Sequence, residues 1–535
     1  MPEGFEPGVS GTIQLHYETD EEHLASMGYK QEFSRNLSGF NNFAISFSII
    51  SILTGCFTTF SSGWNGGGPA AIAWGWPVLV GLIMCIGLCL AEMVSAYPTS
   101  GGLYWWASKL GNPKSGYYAG WLNLIGWMAF VASVAYGCAT FLDLTLGFYF
   151  PSHHSGNLNT VFLYFLAVLL VATVVNIYSS QMLALVNNIS VWWHVFGAAA
   201  VVLILIFVPE HHASASMVFT STINNTGFFN GKTSGIGFLV VVLPVGALLV
   251  QYTVTGYDAS AHMAEETKDA GTAAAKGMWR AILYAGIGGW ILVLAFLFSV
   301  QDEAAVSKGG GGVAVIFAQA LSSNWGGTVL LISVVGQFFC TMACMTACAR
   351  LLFAFSRDGA VPGFHHWHKV NAKKVPVNGV ILSAVVAVII TAPALIPVDV
   401  NGVPVPVAFY AVSSIGVIGI YWCFIIPIWH RLKLGSDFEA GKWNLGKKYK
   451  PLCIVAIADT VMVTFMAFMP TTDLGVPWVT GFSLEYVNYT ILVVPFVMLL
   501  LWIYWHVSVK NWFTGPMTHT DVVDVEVSGT PVEVG

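Results

Sequence analysis

Two polar interruptions stand inside segments that are otherwise apolar and nearly free of charge. The first contains Thr54 and Gly55, and the second, QYTVTGYDASAHMAEE at 251–266, contains Thr255 and Gly256. Glycine destabilises a helix by about 1 kcal/mol relative to alanine, and hydroxyl side chains compete for backbone partners. Both segments are therefore candidates for broken helices, which expose N–H groups at one new end and carbonyls at the other.

Backbone groups exposed at two such breaks would suit the two ends of a zwitterion. If the first segment unwinds at 54–56, the half-helix that follows presents N–H groups and partial positive charge to a carboxylate. Carbonyls near Ser51, Tyr252 and Thr255 would suit an ammonium group. The alternative is that the glycines only permit close packing of helices. The candidate substrate-binding residues are Ser51, Thr54, Gly55, Cys56, Tyr252, Thr253, Thr255 and Gly256.

Ionisable side chains inside apolar segments are functional candidates because burying them is costly. His194 lies in SVWWHVFG with no charge nearby in sequence, and an imidazole that titrates near neutral pH could carry a coupling proton. A neutral histidine bonded to a carbonyl is the alternative. Asp258 either caps the second half of its helix or serves at a site or gate. Asp459 is expected to have a packing or oligomer role.

A cluster of charge is expected at one end of the second broken segment. Glu265 and Glu266 follow it directly, and Arg357 and Asp358 lie in SRDG after a later apolar segment. Together with Lys268 they could form ion pairs that close a gate. Solvated surface charge is the alternative.

The composition places the chain in a membrane. Of 535 residues, 56% are hydrophobic and 9% are charged, whereas soluble domains carry about 25% charged residues. The net charge of −6 argues against a nucleic-acid partner. All nine cysteines fall in apolar runs and are interpreted as packing residues, so we expect neither a metal site nor a cofactor.

Runs of about 20 apolar residues predict twelve membrane-spanning helices with both termini on one side. If that side is the cytoplasm, 19 of the 21 lysines and arginines lie inside, and only Lys232 and Lys308 lie outside. The predicted spans are 40–62, 70–96, 117–147, 159–178, 183–208, 236–263, 280–300, 326–356, 378–398, 405–429, 452–470 and 487–508.

Five sequence blocks together resemble the amino acid–polyamine–organocation permease superfamily. Their order and spacing are similar to the amino acid/choline transporter branch, which includes GABA permeases and plant bidirectional amino acid transporters. The resemblance covers roughly residues 28 to 510. The blocks are LTGCF (53–57), GGPAAIAWGW (67–76), AEMVSAYPTSGGLYWWA (91–107), YTVTGYD (252–258) and ARLLFAFSRDGAVP (349–362).

The resemblance implies an all-α polytopic fold with a five-plus-five inverted repeat and two further C-terminal helices. It implies alternating access, usually driven by protons, with Tyr252 as an aromatic gate. His194 aligns with a lysine that serves as a proton-linked switch in some members. The implied divisions are a cytoplasmic tail 1–35, a first repeat 36–235, a second repeat 236–430, helices 11 and 12 within 431–510, and a cytoplasmic tail 511–535.

The sequence therefore predicts a secondary transporter rather than an enzyme. Small neutral amino acids or GABA are the expected substrates, because no acidic or basic residue is clearly placed to bind a charged side chain. A choline or polyamine permease and a transport-dead nutrient sensor remain alternatives. The expected partners are the amino acid, protons as coupling ion and the lipid bilayer, in a multi-pass protein of the plasma membrane.

Overall fold

The computed structural model of the protein describes residues 19–178, 180–400, 403–404 and 407–516. Within these residues, eleven helices are long and apolar enough to cross a membrane. The sixth predicted span is interrupted, and its apolar part is the shorter helix Phe238–Thr253. The protein is therefore an all-α polytopic membrane protein. Most of the predicted C-terminal tail and the first half of the predicted N-terminal tail lie outside the described residues.

The spans follow the predicted order closely, and we number them 1 to 12 along the chain. Differences from the predicted limits are mostly a few residues at each end, where an apolar window cannot locate helix caps. The span helices are Gly39–Ile49 with Ile52–Thr58, Gly68–Ala96, Pro113–Tyr149, Leu158–Tyr178, Ser180–Phe207, Phe238–Thr253, Ala270–Phe298, Ser323–Arg357, Val377–Thr391, Val407–Leu434, Tyr449–Phe468 and Thr490–Val507.

Short elements connect the spans. Two antiparallel strand pairs occur, Gly66–Gly67 with Ile223–Asn224 and Asp399–Val400 with Val403–Pro404. The short α-helices are Asp20–Ser26, Phe60–Asn65, Gly102–Leu110, Ala215–Thr220, Ala259–His262, Glu303–Lys308, Val313–Ala320 and Phe364–Trp367. The 3-10 turns are Phe228–Gly231, Ala264–Glu266, Ala392–Leu395, Gly435–Asp437, Gly446–Lys448, Asp473–Gly475, Leu484–Tyr486 and Val509–Asn511.

Span 3 forms the centre of the bundle and packs against spans 8 and 10. Glycines permit these close contacts, since a Cβ on Gly126 would lie 2.8 Å from Ile420 and one on Gly120 would lie 2.4 Å from Phe355. Without a hydrophobic force between helices in lipid, such close packing supplies the association energy. The two broken spans, 1 and 6, contact each other and border this centre.

The segment before span 1 is folded onto one end of the bundle. Asp20 accepts hydrogen bonds from the N–H groups of Asp269 and Ala270 at the start of span 7. Leu37 exchanges backbone hydrogen bonds of 2.9 Å with Glu266 and Lys268. We call this end of the bundle the N-terminal face.

Candidate functional site

The break in span 1 lies at Ile50 and Ser51, earlier than the sequence predicted. The first helix ends at Ile49, Ile50 leaves helical geometry with φ −70° and ψ 59°, and Ser51 caps the second helix. Ser51 accepts the Thr54 N–H at its hydroxyl oxygen (3.1 Å), and its carbonyl accepts the N–H groups of Thr54 and Gly55 (2.9 Å each). The prediction that the helix unwinds at 54–56 is therefore wrong.

This correction changes which backbone groups can contact a ligand. Thr54 and Gly55 N–H groups are already bonded to Ser51, and the Ser51 carbonyl is occupied by them. Within the described part of the chain, Ile52 and Leu53 are the residues of this turn whose N–H groups have no backbone acceptor. A serine N-cap is the local signal that would have located the break.

The break in span 6 falls where the sequence predicted it. The helix ends at Thr253, Val254 leaves helical geometry, and Gly256 adopts φ +97°, a region that L-residues rarely enter. No backbone donor in the described residues reaches the carbonyls of Tyr252 and Thr255. Span 6 therefore presents a row of free carbonyls next to the break.

The two breaks are in direct contact. A Cβ on Gly55 would lie 2.1 Å from the Thr253 hydroxyl oxygen, and a Cβ on Gly256 would lie 2.2 Å from Ile49. The Ser46 hydroxyl donates to the Tyr257 carbonyl (2.9 Å) just beyond the second break. Close packing, the alternative considered for these glycines, thus applies at both positions, and at Gly256 it is combined with the interruption of the helix.

Aromatic rings and hydroxyls surround the carbonyl end of span 6. The Tyr252 ring stacks on Phe130 with centroids 5.3 Å apart and meets Phe409 edge-on at 6.4 Å. Its hydroxyl lies 2.9 Å from that of Ser133. Thr253 and Cys56 are buried alongside. These neighbours are uncharged, so they offer no ionic partner to a charged side chain.

His194 contacts the break in span 1 directly. Its Nδ1 lies 2.8 Å from the Ser190 carbonyl, so Nδ1 carries a hydrogen, and its Nε2 lies 2.6 Å from the Ser51 hydroxyl. A neutral imidazole accepts that hydroxyl proton, whereas a protonated one donates to the oxygen. The protonation state of His194 therefore sets the orientation of the hydroxyl that caps the half-helix.

Asp258 does not cap the second half of span 6. Its side chain makes no cap hydrogen bond, and it faces His262 instead, with Oδ2 3.3 Å from Nε2. The cap interpretation is wrong because neither carboxylate oxygen accepts a hydrogen bond from an N–H group of the helix that follows. His262 was missed by the sequence reasoning, although its position four residues after Asp258 was a usable signal.

Asp459 also differs from expectation. Its side chain is buried and accepts a 3.0 Å hydrogen bond from the Gln251 amide of span 6. The oxygen of that amide accepts the Tyr421 hydroxyl. Asp459 therefore contacts the broken span 6, and these contacts indicate a role inside the bundle rather than the predicted oligomer role.

Ion pairs cross the N-terminal face beneath the breaks. Glu265, fully buried, accepts hydrogen bonds from Arg357 (3.2 Å) and from the Ser100 N–H (2.9 Å). Arg357 also stacks over the Tyr29 ring at 4.1 Å, and the Tyr29 hydroxyl donates to Asp358 (3.0 Å). The expected Glu265–Arg357 pair is thus present, and the segment before span 1 is part of it, whereas no ion pair of Lys268 occurs among the described residues.

Burial alone would raise the pKa of the Glu265 carboxyl, but Arg357 and the hydrogen bonds from Ser100 and Thr99 hold that pKa below its usual value. The carboxylate therefore stays ionised at neutral pH, and the pair is lost only as the pH falls below the usual range of a glutamate carboxyl. Glu266 forms a second buried pair nearby, with Arg350 Nε at 3.0 Å.

An apolar groove of about 520 Å³ lies elsewhere, on the perimeter. Its lining includes Trp74, Val78 and Leu243, and the first two are exposed. A lining of this kind suits contact with lipid chains rather than a polar solute.

Comparisons with known proteins identify the family of the chain. A profile described as "Amino acid permease" matches residues 37–499. The chain belongs to this family, within the amino acid–polyamine–organocation superfamily. The resemblance stated from the sequence is confirmed. Members of this family are permeases and not enzymes.

Individual relatives span nearly the whole permease. This chain is 34% identical to "Amino-acid permease BAT1" of Arabidopsis thaliana, and the match covers 93% of this chain and 96% of the relative. A homologue of that protein in Oryza sativa is also 34% identical, over 94% and 96%. The "GABA-specific permease" of Saccharomyces cerevisiae is 27% identical, over 96% and 89%.

Proposed function

We propose that this permease is a secondary active transporter that moves small neutral amino acids or GABA across the membrane by alternating access. The observation that carries the proposal is the contact between two broken spans, Gly55 against Thr253 and Gly256 against Ile49. Interrupted helices at corresponding places in two halves of a chain are typical of a transporter with its binding site near the bilayer midplane.

The substrate would bind with its two charged ends at the two breaks. The carboxylate would lie at the start of the second half of span 1, over residues 51–56, where N–H groups of Ile52 and Leu53 are unpaired within the described structure. The ammonium would lie at the carbonyls of Tyr252 and Thr255. Tyr252 would close over the substrate as an aromatic gate.

The polarity of the side chains around Tyr252 supports small neutral substrates. The side chains around Tyr252 are Phe130, Ser133 and Phe409, which offer apolar surface and hydroxyls. The name of the yeast relative supports GABA as one candidate. A choline or polyamine permease is the second candidate, because aromatic rings also suit an organic cation. A sensor that binds amino acids without transporting them is the third.

Proton coupling would involve His194. Because His194 contacts the hydroxyl that caps the span 1 half-helix, a proton on the ring would reorient that hydroxyl and change the field at the carboxylate end of the site. The Glu265–Arg357 pair with Asp358 would close the N-terminal face. We place that face in the cytoplasm, with both termini, in a plasma-membrane protein.

Counterflow in proteoliposomes tests the proposal. Purified protein is reconstituted in vesicles preloaded with unlabelled alanine or GABA, and labelled alanine or GABA is added outside. Transient accumulation of label above equilibrium is expected. Its absence for a panel of amino acids would contradict the transport proposal and favour a sensor. Stronger competition by choline than by alanine or GABA would favour the second candidate.

A further inference from the structure

A groove of about 600 Å³ opens at the N-terminal face, between the first helix of span 1 and the start of span 7. The two helices approach closely there, since a Cβ on Gly39 would lie 3.4 Å from the Ala273 Cβ. The start of span 7 supplies three cations that line the groove, Lys268, Lys276 and Arg280. We call this depression the basic groove.

The side chains that line the groove from span 7 recur at four-residue intervals. Lys268, just before the helix, is followed by Thr272, Lys276, Arg280 and Tyr284. Residues four positions apart are neighbours on one side of a helix, so these side chains form a single row. The row begins with cations and ends on an aromatic ring.

The three cations of the groove have no ion-pair partner within the described structure. The acid among the lining residues, Asp269, pairs with Lys442 at 3.4 Å. Asp20, which bonds the nearby backbone, lies 3.9 Å from Arg35. The opposite wall, helix Gly39–Ile49, contains no charged residue. The groove therefore presents positive charge that the described residues do not neutralise.

The remainder of the groove is aromatic and continues into the exposed apolar surface of span 7. Phe40 is 45% exposed and Tyr284 is 53% exposed, and the Tyr284 ring meets Phe43 edge-on with centroids 5.9 Å apart. Further along the same helix, Ile287 and Ile291 are also exposed. Exposed apolar side chains on a membrane-spanning helix contact acyl chains, and tyrosine is typical of the level of the headgroups.

The length of this surface matches one leaflet of a bilayer. Arg280 and Ile291 are eleven positions apart, which is about 16 Å along an α-helix. Half of the hydrocarbon core of a bilayer is about 15 Å thick. An amphipathic molecule with its anionic end at Arg280 would therefore have its chains beside Tyr284, Ile287 and Ile291.

We propose that the basic groove binds the headgroup of an anionic phospholipid from the leaflet at the N-terminal face. Lys276 and Arg280 would donate hydrogen bonds to its phosphate, as basic pockets between membrane-spanning helices do for anionic headgroups. A free phosphate would also satisfy the cations, but it would make no use of the aromatic wall. The continuity of the groove with the exposed apolar surface therefore favours a lipid.

A bound lipid would contact both walls of the groove. Its chains would pack on Phe40 of span 1 and on Tyr284 of span 7, so it would hold the first half of the broken span 1 beside span 7. This inference concerns the lipid alone and holds whichever solute the permease carries.

Photolabelling in proteoliposomes tests the inference. The full-length permease is reconstituted in phosphatidylcholine vesicles that contain a small fraction of phosphatidylglycerol with a diazirine in one acyl chain. A parallel sample carries the same chain on phosphatidylcholine, which has no net charge. We expect the phosphatidylglycerol probe to label residues 39–43 and 281–291 several-fold more strongly, as measured by mass spectrometry of peptides. Equal labelling by the two probes would overturn the inference.

Variants of the groove connect the labelling to its cations. One basic residue at a membrane surface strengthens binding to anionic lipid by about fivefold, so Lys276→Gln with Arg280→Gln should weaken it by about 25-fold. Labelling by the phosphatidylglycerol probe should then fall to the level of the phosphatidylcholine probe. Labelling of this variant at the wild-type level would overturn the inference.

Two further variants serve as controls. Lys447→Gln with Lys448→Gln removes the same charge from an exposed turn and should retain the labelling. Lys276→Arg with Arg280→Lys keeps both charges in the groove and should retain it as well. Loss of labelling in either control would show that the groove cations are not what attracts the lipid.

A competitor without acyl chains separates a lipid site from a phosphate site. Unlabelled phosphatidylglycerol should compete with the probe, whereas water-soluble glycerol phosphate should compete far less. Equal competition by the two would assign the groove to a free phosphate ester and overturn the lipid proposal. None of these measurements uses transport, so their result is independent of the proposed function.

Discussion

A Cβ atom on Gly55 would lie 2.1 Å from the Thr253 hydroxyl oxygen and 2.6 Å from the Thr253 Cα. The two interrupted spans therefore touch backbone to backbone, and no side chain larger than hydrogen fits between them. Since part of the clash is with backbone, a rotamer change of Thr253 cannot relieve it. The spacing between the two halves of the proposed site is fixed at this contact.

Replacing Gly55 with alanine should push the two breaks apart. We expect Gly55→Ala to destabilise the fold by about 1–3 kcal/mol, as overpacked cores do, and to abolish most counterflow. Thermal unfolding in detergent and the counterflow assay measure the two effects. Gly75→Ala in span 2 is the matched control, because a Cβ there meets nothing within 4 Å. Equal behaviour of both variants would contradict the close contact.

Gly256 combines two constraints that a pair of variants can separate. Gly256→Ala would impose φ +97° on an L-residue and place its Cβ 2.2 Å from Ile49, whereas Gly359→Ala at φ +77° meets nothing within 4 Å. The control should lose about 1–2 kcal/mol from backbone strain alone. Gly256→Ala should lose more stability and most counterflow. Melting temperatures compare the variants, and equal losses would show that Ile49 does not restrict the site.

The sequence predicted those parts of the fold that depend on local composition. Spans of apolar residues and a glycine in YTVTGYD were sufficient for the helix order and for the break in span 6, because Gly256 itself adopts the positive φ. Thr54-Gly55 looked equivalent, yet Gly55 lies within the helix Ile52–Thr58 and serves a contact with another span. Local pattern alone cannot distinguish a glycine needed for conformation from one needed for space.

The remaining parts of the site depend on contacts that are distant in sequence. His194 meets Ser51 across 143 positions, and Gln251 meets Asp459 across 208. No periodicity in either segment indicates its partner. The Asp258–His262 pair is the exception, because its four-residue spacing could be recognised in the sequence. Its burial beside span 3 could not.

His194 should be needed for coupling and not for exchange. We expect His194→Ala to abolish accumulation driven by an imposed pH gradient while counterflow persists, because the Ser51 hydroxyl can still cap the half-helix. His430→Gln is the control, as His430 is only half-buried and contacts the Ser115 hydroxyl. Accumulation in His194→Ala at the wild-type level would reject the coupling role.

Ser51 should matter for both stability and transport. Its hydroxyl caps the second half of span 1 and contacts His194, so Ser51→Ala removes an N-cap worth about 0.5–2 kcal/mol and the hydroxyl that links the ring to the cap. We expect a lower melting temperature and a weaker response to a pH gradient. Ser214→Ala, which removes the cap of a short peripheral helix, should lower stability without changing that response.

The Glu265–Arg357 pair should hold the N-terminal face closed. Glu265→Gln removes the buried carboxylate from Arg357 and leaves the guanidinium with the more exposed Glu32 at 3.8 Å. Breaking a buried pair costs about 3–5 kcal/mol. We therefore expect a destabilised closed face, seen as a lower melting temperature and faster hydrogen exchange at residues 97–101. Lys442→Gln is the control, because its pair with Asp269 is exposed and exposed pairs contribute about 0–1 kcal/mol. Unchanged exchange at residues 97–101 in Glu265→Gln would show that this pair does not restrain the face.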